Sequence, residues 1–128
     1  MYIKKNNLKV NKKKKNDGAL NHWITQKVSA LILLPLLCWF LFIFKDFINK
    51  DYSSQIQWMQ NFSNSLLLML FIIVALFHLR LGLSVVIEDY IHNLKSKNFL
   101  LSLISILCLL FTVFTIIVIY MISVKSNV

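Results

Sequence analysis

A chain of 128 residues that is 58% hydrophobic, with a mean hydropathy of +0.68, two glycines and one proline, is too apolar and too poor in turn formers for an ordinary water-soluble domain. Its net charge of +9 is also unevenly placed, because seven of the 14 basic residues lie between Lys4 and Lys15. That lysine run lacks the aromatic interleaving of a nucleic-acid surface and adjoins an apolar segment, so it reads as an orientation-setting arm that meets anionic lipid, with no nucleic-acid partner.

Residues 1–21 form this basic, flexible arm, and residues 22–128 form a transmembrane unit. Asp17, Gly18, Asn21 and the amphipathic segment His22–Lys27 make the junction, with Trp23 at the depth of an interfacial aromatic belt. Three long apolar runs follow, Val28–Phe44, Leu66–Ile87 and Phe99–Val124. Each approaches or exceeds the roughly 20 residues a helix needs to cross hydrocarbon. The spacing predicts an all-α membrane protein with three spans, over about residues 26–47, 64–89 and 98–123. Three spans leave no room for a soluble catalytic domain.

The first run stands behind the arm and lacks a short apolar region ending in an A-x-A-like site, which argues against a cleaved signal. Pro35 lies within it, where proline kinks a helix. Cys38 and Cys108 both fall inside spans, where a disulfide is disfavoured and they read as buried small apolar side chains. The loop over Phe47–Asn61 balances Lys45 and Lys50 with Asp46 and Asp51, so the lysine asymmetry places the N-terminus inside. The His92–Asn98 loop, with Lys95 and Lys97, then also lies inside, and the C-terminus lies outside.

The second span carries the candidate chemistry. It sets His78 and Arg80 within otherwise apolar sequence and ends in Glu88, Asp89 and Tyr90. Ionisable groups at membrane depth are costly and mark functional positions. At 3.6 residues per turn, His78, Gly82, Val85 and Asp89 share one stripe, and His78 lies ~16 Å deeper than Asp89. Two readings of His78 remain open: a neutral histidine hydrogen-bonded to a neighbouring helix, or an axial haem ligand with room for a flat macrocycle at Gly82. Arg80 points about 200° away around the helix, toward a carboxylate, a haem propionate, another protein chain or a structural hydrogen bond. His22 and His92 lie near the inner surface, too far along the membrane normal to supply a second ligand to the same iron, so a bis-histidine haem needs a partner chain. Asp89 and Tyr90 form either an interfacial belt or a quinone site in which the phenol donates to a carbonyl and the carboxylate relays protons.

The span from Phe77 to His92 closely resembles the second helix of the small hydrophobic membrane anchor of succinate dehydrogenase (complex II). The family's His, its Gly four residues on, and its Asp-Tyr pair eleven and twelve residues on are matched by His78, Gly82, Asp89 and Tyr90. Gly18 to Ala30 is similar to the family's G-x-x-x-H-W-x-x-Q-R-x-[ST]-A segment, with Lys27 in place of the usual arginine. A lysine keeps the charge and loses the forked, bidentate geometry.

The resemblance implies half of a haem-binding heterodimeric anchor in a bacterial or mitochondrial inner membrane. The other half would be a second three-helix anchor, and an iron–sulfur subunit and a flavoprotein subunit would make up the rest of the complex. It implies haem b shared between a histidine of each anchor, with His78 as this chain's ligand to the haem iron and Gly82, Lys27 and His22 in support. It also implies ubiquinone as substrate, bound by Tyr90 and Asp89, and no succinate site on this chain. A fumarate reductase anchor is the alternative within the class, and a non-catalytic three-helix assembly protein the alternative outside it.

The lysine asymmetry makes a direct prediction: reporters fused at Val128 are active in the outer compartment only. Activity on the inner side would reject the orientation and the placing of Tyr90 at the inner surface.

Overall fold

The computed structural model describes residues 2–124, with side chains from residue 20 onward. The arm expected over residues 1–21 therefore lies, apart from Leu20 and Asn21, outside the described side chains. Four helices follow in order: α1 (Tyr2–Ile48), α2 (Tyr52–Gln60), α3 (Phe62–Tyr90) and α4 (Leu94–Val124). Among the described residues there is no strand. Among the described residues, three segments are long and apolar enough to cross a membrane: Leu20–Ile48, Phe62–Tyr90 and Leu94–Val124. They coincide with the three expected spans and exceed them by a few residues at most ends. The chain is an all-helical, multi-pass membrane protein.

The central helix is α3, against which both α1 and α4 pack. On α1 a row of residues turned inward, His22, Gln26, Ser29, Leu33, Leu36, Phe40, Ile43 and Phe47, is spaced alternately four and three apart, with Trp39 beside it. That is the seam of a left-handed helix pair, in which side chains from one helix seat between those of the next. The half toward the C-terminal end of α1 is apolar and aromatic: Phe40 stacks on Phe71 of α3 with ring centroids 4.7 Å apart. The half toward its N-terminal end is polar. Helices in lipid gain little from hydrophobic burial against each other and associate instead through close packing and interhelical hydrogen bonds, and Ser29 is among the most buried side chains, at 5% exposure. Away from the seam, Leu31, Leu34 and Phe42 are strongly exposed, as residues facing hydrocarbon or another protein chain are. The helix continues through Pro35, which lies on this outward side.

The stretch expected as a loop between the first two spans contains α2. No apolar period announces a nine-residue helix there; capping and docking hold it. Asp51 is the N-cap and accepts from the Ser54 amide at 3.4 Å and from the Ser53 hydroxyl. Gln55 Nε2 donates to the carbonyls of Phe47 and Lys50 at 3.2 Å each, partnering backbone groups left over at the end of α1. Trp58 stacks on Trp39 at 6.5 Å and meets the edge of Phe47 at 5.1 Å. Asn61 then closes α2 and opens α3, its side chain accepting from the Ser63 and Asn64 amides at 3.0 and 3.4 Å. Ser65, also 5% exposed, donates to the Met59 carbonyl.

The other connection is tighter. Asn93 Oδ1 accepts from the Lys95 amide at 3.0 Å to start α4, and Lys97 Nζ reaches back to the Glu88 carbonyl at 3.0 Å.

The hydrogen bonds from Ser53 and Ser54 hold the Asp51 carboxyl at about 2, below its ordinary 3.8. A lowered folded-state value means that the cap stabilises α2 above the unfolded value and is lost as pH falls through the folded one. The Asp51 carboxyl carbon should therefore titrate by NMR with a midpoint near 2. Asp51→Ala should speed amide exchange at Ser54 and Gln55 at neutral pH; unchanged exchange would mean that docking alone holds α2.

Candidate functional site

His78 lies on α3 where that helix crosses the polar half of the α1 seam. Its Nδ1 is 2.9 Å from Ser29 Oγ. Ser29 Oγ also donates to the Gln26 carbonyl one turn earlier, at 2.9 Å. One turn inward along α3, a Cβ built on Gly82 would lie 3.9 Å from Gln26 Nε2, an ordinary contact distance. The predicted stripe of His78 and Gly82 is thus real, and it faces α1. The space a glycine leaves is bordered on one side by Gln26, so the chain itself forms one wall beside His78.

Asp89 and Tyr90 end α3, eleven and twelve residues beyond His78, and both are exposed, Tyr90 at 77%. At ~1.5 Å per residue they stand about 16–18 Å from His78 along the helix axis. Among the described residues neither side chain has a hydrogen bond or ion pair within the chain, which leaves the phenol and the carboxylate open to an outside group. His22 lies on the seam, half-buried, seven residues before Ser29. His92 lies just beyond the Ile91 cap of α3 and is exposed. Lys27 is directed to a neighbour on its own helix: its Nζ lies 4.0 Å from the centroid of the Trp23 ring, four residues earlier, a cation–π contact.

Arg80 faces the other way, as its 200° offset requires. Its Nε donates to Ser105 Oγ of α4 at 3.0 Å, and Ser105 passes its own proton to the Leu101 carbonyl at 2.8 Å. Of the roles open to Arg80, the structural hydrogen bond is the one made within the chain. The guanidinium borders a groove of about 400 Å³ between α3 and α4, lined also by Ile73, Phe77, Cys108 and Thr112. Cys38 and Cys108 are free thiols, on α1 and α4 respectively.

Two residues of the site, Gln26 and Ser29, match the Gln and the Ser/Thr of the family's pattern between Gly18 and Ala30, but the pattern attaches no role to them. They also continue the four-three spacing from His22, and a polar run on a seam inside a span requires polar partners.

Residues 5–118 match the model of the succinate dehydrogenase/fumarate reductase transmembrane subunit family. The chain belongs to this family. Among relatives it is similar to the succinate dehydrogenase hydrophobic membrane anchor subunit of Rickettsia bellii (strain RML369-C), with 34% identity over 93 residues, 70% of this chain and 74% of the relative. The protein of the same name from Rickettsia prowazekii (strain Madrid E) is 36% identical over 86 residues, 66% of this chain and 67% of the relative. The succinate dehydrogenase membrane anchor subunit of Reclinomonas americana is 29% identical over 79 residues, 59% of this chain and 66% of the relative. No solved structure matches the chain significantly. As a member of the family, the chain has a three-span architecture in which His78, Gly82, Asp89 and Tyr90 occupy one helix.

Proposed function

We propose that this chain is the membrane anchor of a succinate dehydrogenase complex, in which His78 would hold the iron of a b-type haem, and Tyr90 and Asp89 bind ubiquinone and relay protons to it as the complex reduces it. The observation that carries the reading is the state of His78. A histidine at membrane depth is anchored through one ring nitrogen to the α1 seam, while the ring is only half-buried and its other nitrogen has no partner within the chain among the described residues. The donor chemistry fits a haem, since a neutral imidazole with one nitrogen tied and the other free is the form in which histidine ligates iron. Bound there, the haem would supply a one-electron relay within the membrane.

The rest follows from the chain's own residues. His78 would hold the iron on one side, so the second histidine must come from a partner, the second three-helix anchor of the resemblance. His22 and Lys27 stand on α1 toward the inner end, where the propionates of such a group would need polar company; the Lys27 charge resting on Trp23 can turn to them at the cost of one cation–π contact. Tyr90 offers its O–H to a quinone carbonyl, and Asp89 beside it accepts or delivers protons at the lipid–water boundary. The strongly exposed outer faces of α1 and α4 give a second anchor broad apolar surfaces to pack on. FAD and iron–sulfur clusters belong in this reading to the flavoprotein and iron–sulfur partners. The N-terminus faces the inside of a bacterial or mitochondrial inner membrane, which places Tyr90 beside those partners. The family description includes fumarate reductase, so a fumarate-reducing complex is the second reading; the names of the relatives favour succinate dehydrogenase.

His78→Ala in the assembled complex should abolish or perturb the b-type absorption spectrum, and an unchanged spectrum would end the ligand assignment. Tyr90→Phe keeps the ring and deletes the donor, a loss of roughly 0.5–1.5 kcal/mol or more where charge develops. Quinone reductase activity should fall several-fold while succinate oxidation with an artificial acceptor ahead of the membrane stays normal. Equal loss of both activities would assign Tyr90 to assembly instead.

A further inference from the structure

Ser29 makes two contacts through one hydroxyl. Its Oγ lies 2.9 Å from the Gln26 carbonyl and 2.9 Å from His78 Nδ1. A carbonyl oxygen can only accept, so the contact with Gln26 consumes the single proton the hydroxyl possesses. The contact with His78 then forms only if the ring donates: Nδ1 carries the hydrogen and Ser29 Oγ accepts it. At 5% exposure the Ser29 hydroxyl is nearly closed to solvent, which favours these two partners. In a neutral imidazole, a hydrogen on Nδ1 leaves Nε2 bare, with its lone pair on the far side of the ring from Ser29. The proton order is therefore His78 Nδ1–H to Ser29 Oγ–H to the Gln26 carbonyl, and it is written into α1 before any ligand is present.

From this we infer that Ser29 is a positioning residue: together with the Gln26 carbonyl it fixes His78 as the Nδ1–H tautomer and turns Nε2 outward as the ligating nitrogen. The role rests on the haem reading above for its purpose, but the tautomer is a property of this chain alone. Two consequences follow. The donated hydrogen bond makes Nε2 a stronger electron donor, which favours ferric over ferrous iron. It also pins the ring plane, so the loss of Ser29 frees a ring that has one anchoring bond. A threonine keeps the hydroxyl and can repeat the bond to the carbonyl three or four residues back, a habit of Ser and Thr in helices. An alanine cannot.

The test measures the tautomer directly. The full chain holds three histidines, so ring-¹⁵N-labelled protein in lipid bilayers gives three resolvable sets of ring signals, assigned to His78 by loss in His78→Ala. With no haem added, His78 is expected with a protonated Nδ1 and an unprotonated Nε2. Ser29→Ala should convert it to a mixture or to the Nε2–H form, and Ser29→Thr should restore the original pattern. In the assembled complex, Ser29→Ala should weaken haem retention by about 10- to 100-fold, the usual effect of removing a ligand's hydrogen-bond partner, and raise the haem midpoint potential. Ser29→Thr should recover both. An Nε2–H ring in the unmodified chain overturns the inference, as does an unchanged tautomer in Ser29→Ala or a Ser29→Thr chain that behaves like alanine. Failure of the haem reading looks different: an unaltered b-type spectrum in His78→Ala, with the ¹⁵N pattern and its dependence on Ser29 intact.

Discussion

Inside hydrocarbon a polar group finds no water, and each one that is present must be satisfied by the protein or by something the protein binds. The bond between His78 and Ser29 is where this constraint acts most strongly on the chain. It joins α1 to α3 at the polar half of their seam, and it uses only one of the two nitrogens of the ring. The serine can approach closely because it is small, and its buried hydroxyl is fully used by the two contacts it makes. Remove the serine and the seam loses both its interhelical hydrogen bond and a small side chain, the two features by which membrane helices associate.

The two sides of α3 solve the same constraint differently. Toward α1 stand His78 and Gly82, with an open nitrogen and an absent side chain. Toward α4 stands Arg80, whose Nε is bound to Ser105 while the hydroxyl of Ser105 is passed back to its own helix. In both cases a serine on a flanking helix is hydrogen-bonded to a nitrogen of α3 and donates its own hydroxyl to a backbone carbonyl. Both bonds join α3 to a flanking helix, and the histidine side leaves one ring nitrogen without a partner among the described residues.

The ends of the bundle differ as well. At the α2 end the leftover polar groups are closed internally: Asp51, Gln55, Asn61 and Asn64 satisfy helix termini, and Trp58 covers the junction with Trp39 and Phe47. At the other end Asp89 and Tyr90 stay open and exposed. Among the described residues, one end is thus closed by its own caps, whereas the other presents a carboxylate and a phenol with no partner within the chain.

The number of spans, their approximate limits and the placing of His78, Gly82, Asp89 and Tyr90 on one helix were legible in the sequence. Hydrophobic length is a property of the chain itself, and a histidine or glycine within such a length stands out without any neighbour being known. The opposed directions of His78 and Arg80 followed from helical periodicity for the same reason. What those side chains touch was not legible. Ser29 and Gln26 lie about fifty residues from His78 and Gly82, and only the antiparallel packing of α1 on α3 brings them together; Ser105 lies 25 residues from Arg80 and depends on the register of α4. The short helix α2 was hidden for a related reason, since its caps are local but the aromatic docking that holds Trp58 comes from α1. Periodicity and hydrophobic length belong to one helix at a time, whereas the tautomer of a histidine belongs to a pair of helices, and tertiary structure alone decides it.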